Sequence, residues 1–188
     1  MLETTGNLFA QNTDGIAVVT NAVVQASGRS YLELSVVPAC ARWSDFDLIL
    51  GSAVTKYGLR FRRLTDSNRR LQTPDGREYQ LPYDLYLCPV AWTWWGPVDL
   101  TLISQTATQL AKIPGSIALP HLEGENNRRD AWKRALPILD TLLAGDRFVV
   151  VKSTLTQRNR SVPLPKIPER FFKAEREVRQ NGRKPYGH

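Results

Sequence analysis

The sequence predicts an α/β fold in which a mostly parallel sheet is covered by helices on both of its faces. Short apolar runs, such as residues 16–20 and 147–152, are typical of strands that are buried on both faces. Helical patterns alternate with these runs, which is the order that builds parallel sheets. The chain has 188 residues, of which 42% are hydrophobic and 23% charged, so its size and composition are those of one globular domain.

Strands are predicted where turn-forming residues bound a short apolar run. Four such runs lie at residues 16–20, 84–90, 116–120 and 147–152. Residues 59–64 and 77–81 are predicted to pair as a hairpin, because Thr73-Pro74-Asp75-Gly76 between them is a strong turn sequence.

Three helices are predicted, at residues 45–57, 97–112 and 130–144. Gly58 would end the first helix. In the second, Pro97 suits the first turn and Asp99 suits the positive end of the helix dipole. Asp130 is the expected N-cap of the third helix, and Pro137 is expected to kink it.

The net charge of +7 lies in the C-terminal part of the chain. Residues 152–188 contain ten lysines and arginines against three glutamates, whereas acidic and basic residues balance before them. We therefore expect a neutral α/β domain over residues 1–151 and a basic, proline-containing arm with one short helix. Four arm residues are the expected contacts to nucleic acid or a protein partner: Arg176, Arg179, Arg183 and Lys184. A purely solubilising arm is the alternative.

Several classes of protein are excluded by composition and motif. No apolar run is long enough to span a membrane, and the N-terminus has no signal-peptide pattern. Two cysteines make no disulfide framework, so a reducing, cytoplasmic location is expected. The sequence has no P-loop, no GxSxG and no zinc-protease motif, and it predicts neither a metal site nor a cofactor.

Ligands of parallel sheets bind beyond the carboxyl ends of the strands, which here means the segments that begin at Asn21 and His121. For His121 itself, a surface histidine in a polar loop is favoured over a catalytic group. Residues 121–130 precede a helix N-terminus, where free N–H groups favour phosphate. Residues 92–95 (Trp-Thr-Trp-Trp) follow a strand, and a lid over the sheet edge is favoured there over a stacking platform for a base.

Five short segments together resemble the macrodomain family. They are Thr5-Gly6-Asn7-Leu8-Phe9, residues 14–22, Leu119-Pro120 with the polar loop after it, Trp132 with residues 136–139, and residues 146–151. The likeness spans residues 1–151 and is strongest to phage and bacterial members related to ADP-ribose hydrolases and ADP-ribose-1''-phosphatases. It implies a three-layer α/β/α sandwich that holds ADP-ribose across the strand ends.

The resemblance also implies roles for particular residues. Asn7, with Leu8 beside it, stands where the family reads adenine, and Asn21 stands where the family contacts the distal ribose and would position a catalytic water. Gly28 begins the first phosphate loop. The implied ligand-binding set is Asn7, Leu8, Asn21, Gly28, Glu33, Ser35, His121, Glu123, Gly124 and Asn126.

The phosphate loops depart from the family pattern. Glu33 and Ser35 stand where the first loop has glycines, and Glu123 and Glu125 stand where the second has them. A side chain there obstructs close backbone approach, and a carboxylate repels phosphate. Two functions are therefore expected from the sequence. One is a module that binds ADP-ribose or a related nucleotide, with hydrolysis of an ADP-ribosyl bond or ADP-ribose phosphate as its activity if it is an enzyme. The other is a catalytically inactive scaffold whose arm binds nucleic acid or protein.

Overall fold

The computed structural model describes residues 1–32, 43–93, 96–122 and 130–153. The main sheet has six strands in the order β1-β8-β7-β2-β6-β3. Its strands are β1 (Leu2–Gly6), β2 (Gly15–Asn21), β3 (Arg62–Arg63), β6 (Asp84–Ala91), β7 (Ile117–Pro120) and β8 (Phe148–Ser153). Neighbouring strands are parallel except for β3, which runs antiparallel to β6. All four strands predicted from the apolar runs lie in this one sheet, so the predicted α/β class is confirmed.

Helices cover the sheet because its central strands have no polar face. The helices are α1 (Phe46–Tyr57), α2 (Leu100–Leu110) and α3 (Ala131–Leu142), with a short 3₁₀ turn at Leu8–Ala10. Every residue of β2 is buried. On one face Ala17 and Val19 meet α2 and α3, and on the other face Ile16 and Val18 are fully enclosed. The result is the three-layer α/β/α arrangement.

The hairpin prediction was wrong in its pairing. Strand β4 (Arg70–Gln72) pairs with β5 (Glu78–Gln80), while Arg62–Arg63 joins the edge of the main sheet. The turn at residues 73–76 is closed by N–H donation from Thr73 to the Arg77 carbonyl over 2.8 Å. A turn this tight pairs only the residues directly beside it, so residues 59–64 lie too far away to be its partner.

Three other local features differ from the sequence prediction. Helix α2 begins at Leu100 and not at Pro97, because the carboxylate of Asp99 caps it by accepting from the N–H groups of Thr101 and Leu102. Helix α3 ends at Leu142, two residues before the predicted end at residue 144, and it contains Pro137 as predicted. Strand β1 has no predicted counterpart, since its residues are largely exposed at the sheet edge and carry no apolar run.

The helix and strand ends at the amino edge of the sheet are tied together by two polar clusters. The Arg147 guanidinium donates to the carbonyls of Ala111, Ile113 and Gly115, at 2.5 to 2.9 Å. It thereby satisfies carbonyls just beyond the C-terminus of α2. Asp14 accepts from both the N–H and the hydroxyl of Ser116 at 2.9 and 3.0 Å. These contacts hold the edge opposite the candidate site.

Candidate functional site at the carboxyl edge of the sheet

Five parallel strands end at the same edge of the sheet. The residues at or just beyond these ends are Asn7 after β1, Ser153 in β8, His121 after β7, Asn21 in β2 and Trp92 after β6. Strands β1 and β8 end together at this edge, because Gly6 of β1 is paired with Ser153 of β8. The topology therefore places Asn7, Asn21 and His121, which the sequence assigned to one site, along the same edge of the sheet.

Asn21 is fully buried, and its side-chain amide is hydrogen-bonded to the loop that follows it. The Nδ2 group donates to the Tyr31 carbonyl over 3.1 Å, and Oδ1 accepts from the Val23 N–H over 3.0 Å. Asn21 thus joins the first and last parts of residues 22–31, which we call the β2 loop. In this arrangement its side chain holds the loop in place.

The β2 loop is packed directly on helix α1. Gly28 has φ +80°, a conformation that favours glycine, and its N–H donates to the Gln25 carbonyl over 2.9 Å. On the helix side the contact is made at Gly51, where an added Cβ would lie 2.0 Å from the Gly28 carbonyl oxygen. The Ser30 N–H, in turn, donates to the Asp47 carbonyl over 2.9 Å. The two glycines therefore allow the loop backbone and the helix backbone to touch.

Charged side chains fix the same contact from outside. Arg29 of the loop donates to the Asp47 carboxylate at 2.6 Å and lies 3.6 Å from the Asp45 carboxylate. Asp47 also accepts from the Leu48 N–H at the first turn of α1. This cluster was not predicted from the sequence. The signal that could have found it is the Asp-Phe-Asp sequence at a helix start, which favours a basic partner.

Asn7 begins the 3₁₀ turn that follows β1. Its Oδ1 accepts from the Phe9 N–H over 2.9 Å, and its side chain is exposed at the rim of the edge. Leu8 and Phe9 are buried in the core. The structure thus places Asn7 at the surface of the site and Leu8 beneath it.

His121 lies directly after β7, with its N–H donating to the Val151 carbonyl over 2.9 Å. Its ring packs on Trp132 of α3, with the ring centroids 4.2 Å apart and the planes 33° from each other. Nothing in the sequence indicated that Trp132 pairs with His121. The pair forms a half-buried aromatic wall at the β7 end of the edge.

The N-terminus of α2 also reaches this edge, but its own residues occupy it. The Asp99 carboxylate caps the helix and accepts from the Trp92 indole N–H over 2.8 Å. A carboxylate held there leaves no room for a phosphate. At α3 the N-cap residue is Asp130, whose side chain makes no capping hydrogen bond. Most of the anion site predicted before α3, residues 123–129, lies outside the described residues.

Several predicted residues lie outside the described part of the chain. They are Glu33 and Ser35 of the first phosphate loop, Glu123, Gly124, Glu125 and Asn126 of the second, Trp94 and Trp95, and the arm residues Arg176, Arg179, Arg183 and Lys184.

Other chemistry is limited in the described ranges. Burial raises the pKa of the Cys88 thiol well above its usual range, so this thiol is protonated and is not a nucleophile. Residues 1–32, 43–93, 96–122 and 130–153 contain no group of three or more His, Cys, Asp or Glu arranged to hold a metal ion. No helix in these ranges is long and apolar enough to cross a membrane.

Solved structures show which fold this is. The chain is similar to the macrodomain of Thermus aquaticus DarG, at 17% identity and a TM-score of 0.53, over 82% of this chain and 97% of that one. It is similar to the macrodomain of Mycobacterium tuberculosis DarG, at 16% identity and a TM-score of 0.52, over 80% and 95%. A third similar structure is Thermosipho africanus DarTG in complex with ADP-ribose, at 14% identity and a TM-score of 0.57, over 86% of this chain and 43% of that one.

The sequence comparisons do not add to this result. No family model matches the sequence, and no curated protein matches it. The fold is macrodomain-like, as the sequence resemblance predicted.

Proposed function

We propose that this protein binds ADP-ribose or a related nucleotide at the carboxyl edge of its sheet. The observation that carries the proposal is the β2 loop, which leaves the edge at Asn21 and presents Gly28 in a glycine-favoured conformation against α1. The glycine lets the loop backbone turn back closely against α1 at this edge, while its own N–H is bonded to the Gln25 carbonyl. In the similar DarTG structure, the bound ligand is ADP-ribose.

Charge sets the expected strength of binding. Glu33, Glu123 and Glu125 belong to the two loops that would receive the pyrophosphate, and a carboxylate near a phosphate weakens binding. We therefore expect a dissociation constant between about 10 μM and 1 mM, which corresponds to about −7 to −4 kcal/mol.

Calorimetric titration of the full chain with ADP-ribose tests this proposal, with ADP, AMP and NAD as comparison ligands. Heat of binding at millimolar ADP-ribose supports it. No binding of any of these nucleotides at that concentration overturns it. A dissociation constant of about 1 μM or tighter would show that the three carboxylates do not oppose the ligand.

Asn21 is the residue through which binding and hydrolysis can be separated. Because both groups of its amide bond the β2 loop, we infer that Asn21 shapes the loop and that N21A weakens ADP-ribose binding about tenfold. Release of ADP-ribose from an ADP-ribosylated substrate, followed by chromatography, measures the hydrolase activity. If N21A abolishes release while the dissociation constant is unchanged, Asn21 acts on the reacting bond and our inference is wrong.

A second candidate function rests on the arm charge. Residues 152–188 carry the whole net charge of the chain, which suits a polyanionic partner. Binding of single-stranded and duplex nucleic acid is measured against salt concentration for the full chain and for residues 1–153. A log–log slope of about −0.7 to −0.9 per phosphate contact that disappears in the shorter chain supports this function. Equal affinities of the two chains refute it.

A further inference from the structure

The carboxylate of Asp45 lies at the N-cap position of α1 but does not cap the helix. Instead it lies between two arginines that are far apart in the sequence. One is Arg29 of the β2 loop, at 3.6 Å, and the other is Arg77, which follows the turn of the β4–β5 hairpin and donates to the opposite oxygen of the same carboxylate. The Asp45 carboxylate therefore takes part in a tertiary contact instead of capping its own helix.

The loop side of this contact is short and closely held. Arg29 is anchored by Asp47 as well as Asp45, and the next residue, Ser30, is buried with its N–H bonded to the Asp47 carbonyl. Arg29 therefore cannot shift without moving the backbone that touches Gly51. The Asp45 carboxylate is thus one of two carboxylates that contact the side chain of this loop residue.

The hairpin side is equally well defined. Arg77 donates from Nε to the Asp75 carboxylate over 2.9 Å while its Nη2 group bonds Asp45. Asp75 in turn accepts from the Thr73 hydroxyl inside the turn. The planar guanidinium thus joins the tip of the hairpin to the start of α1, a two-point contact that a lysine cannot reproduce. These carboxylates raise the pKa of Arg77, and the largest cause is the hydrogen bond that Arg77 donates to Asp45.

We infer that Arg77 is a positioning residue for the ligand loop: acting through Asp45 and Arg29, the hairpin holds the β2 loop in its ligand-ready conformation. This inference rests on the proposed nucleotide function. Removing Arg77 frees the Asp45 carboxylate, so Arg29 keeps Asp47 as its one firm partner in this cluster and the loop is held less tightly. The fraction of chains with the loop in place falls, and the apparent affinity falls with it.

The experiment compares Arg77→Gln with Arg70→Gln as the matched control. Both arginines belong to the same hairpin and are similarly exposed, at 52% and 44%, but Arg70 pairs with Asp66 and Glu78, away from the loop. Both variants lose one positive charge, so a general electrostatic effect on an anionic ligand is common to the two. We expect R77Q to bind ADP-ribose about three- to tenfold more weakly than wild type, R70Q to bind within twofold of it, and R77K to recover part of the loss.

Two further measurements separate positioning from general stabilisation. Hydrogen–deuterium exchange of residues 25–31, without ligand, is expected to be faster in R77Q than in R70Q, while exchange in β2 and β6 stays unchanged. A double-mutant cycle of R77Q with D45N is expected to be non-additive, because Arg77 acts through Asp45.

The outcomes distinguish this inference from the proposed function. If wild type binds ADP-ribose and R77Q matches R70Q in both affinity and loop exchange, the inference is wrong. If wild type does not bind, the proposed function fails, yet unequal loop exchange still shows that Arg77 positions the loop. An additive cycle would show that Arg77 does not act through Asp45.

Discussion

Substituting Gly51 by alanine tests the contact on which the candidate site is built. The added Cβ would lie 2.0 Å from the Gly28 carbonyl oxygen, 2.9 Å from the Ser30 nitrogen and 3.0 Å from the Arg29 carbonyl carbon. All three atoms are backbone, so no side chain can rotate away. The loop and helix must separate by about 1 Å or more to restore van der Waals contact.

The steric clash destabilises the fold, and this loss is partly offset because alanine is more favourable than glycine within a helix. Overpacking of a well-packed contact costs about 1–3 kcal/mol, and alanine returns at most about 1 kcal/mol relative to glycine within a helix. We expect G51A to lower the free energy of unfolding by about 1–2 kcal/mol, or about 2–8 °C in Tm for a domain of this size. ADP-ribose binding is expected to weaken by more than tenfold because the β2 loop is displaced.

Urea unfolding followed by circular dichroism gives the stability, and calorimetry gives the affinity. Ser52→Ala is the control, since it places an alanine at the next position of the same helix, where Ser52 lines a cleft beside the β4–β5 hairpin. A G51A protein as stable as S52A, with unchanged exchange of residues 25–31, would refute the packing argument.

Two predictions concern the opposite edge of the sheet. Arg147→Met removes donors from the carbonyls of Ala111, Ile113 and Gly115; we expect a loss of about 1.5–3 kcal/mol in urea unfolding, and an unchanged midpoint would contradict it. The hydrogen bonds from the backbone and side chain of Ser116 lower the pKa of Asp14. Its stabilisation is therefore present above the unfolded value near 3.8 and is lost as pH falls through the lower folded value. The stability difference between wild type and D14N should shrink between pH 5 and pH 2, and a constant difference would disprove the assignment.

Features that depend on residues within a single helix or strand were predicted correctly from the sequence. The apolar runs at residues 16–20 and 147–152 became β2 and β8 because burial on both faces leaves a continuous hydrophobic signal. Helix α1 ends where Gly58 follows it, with φ +73°, because that conformation is easy only for glycine. Strand β1 was missed because an exposed edge strand carries no such signal.

The candidate site was predicted in position and not in detail. Asn21 and His121 follow strands that are parallel, so their place at one edge follows from the fold class alone. That Asn21 bonds its own loop depends on where Tyr31 lies, which no spacing in the sequence reveals. The same is true of the His121–Trp132 contact, which joins the end of a strand to a helix.

By itself, the sequence determined the α/β class, the central strands and the resemblance to macrodomains, and it predicted the edge at which we propose that a ligand binds. Each of these depends on patterns that repeat within a few residues, since burial and turn chemistry act locally along the chain. Only the tertiary structure decided the hairpin pairing, the backbone contact of Gly28 with Gly51 and the placing of Asp45 between Arg29 and Arg77. The last two of these features join residues 16 to 32 positions apart, and their energy comes from close packing and charge geometry that exist only once the chain has folded.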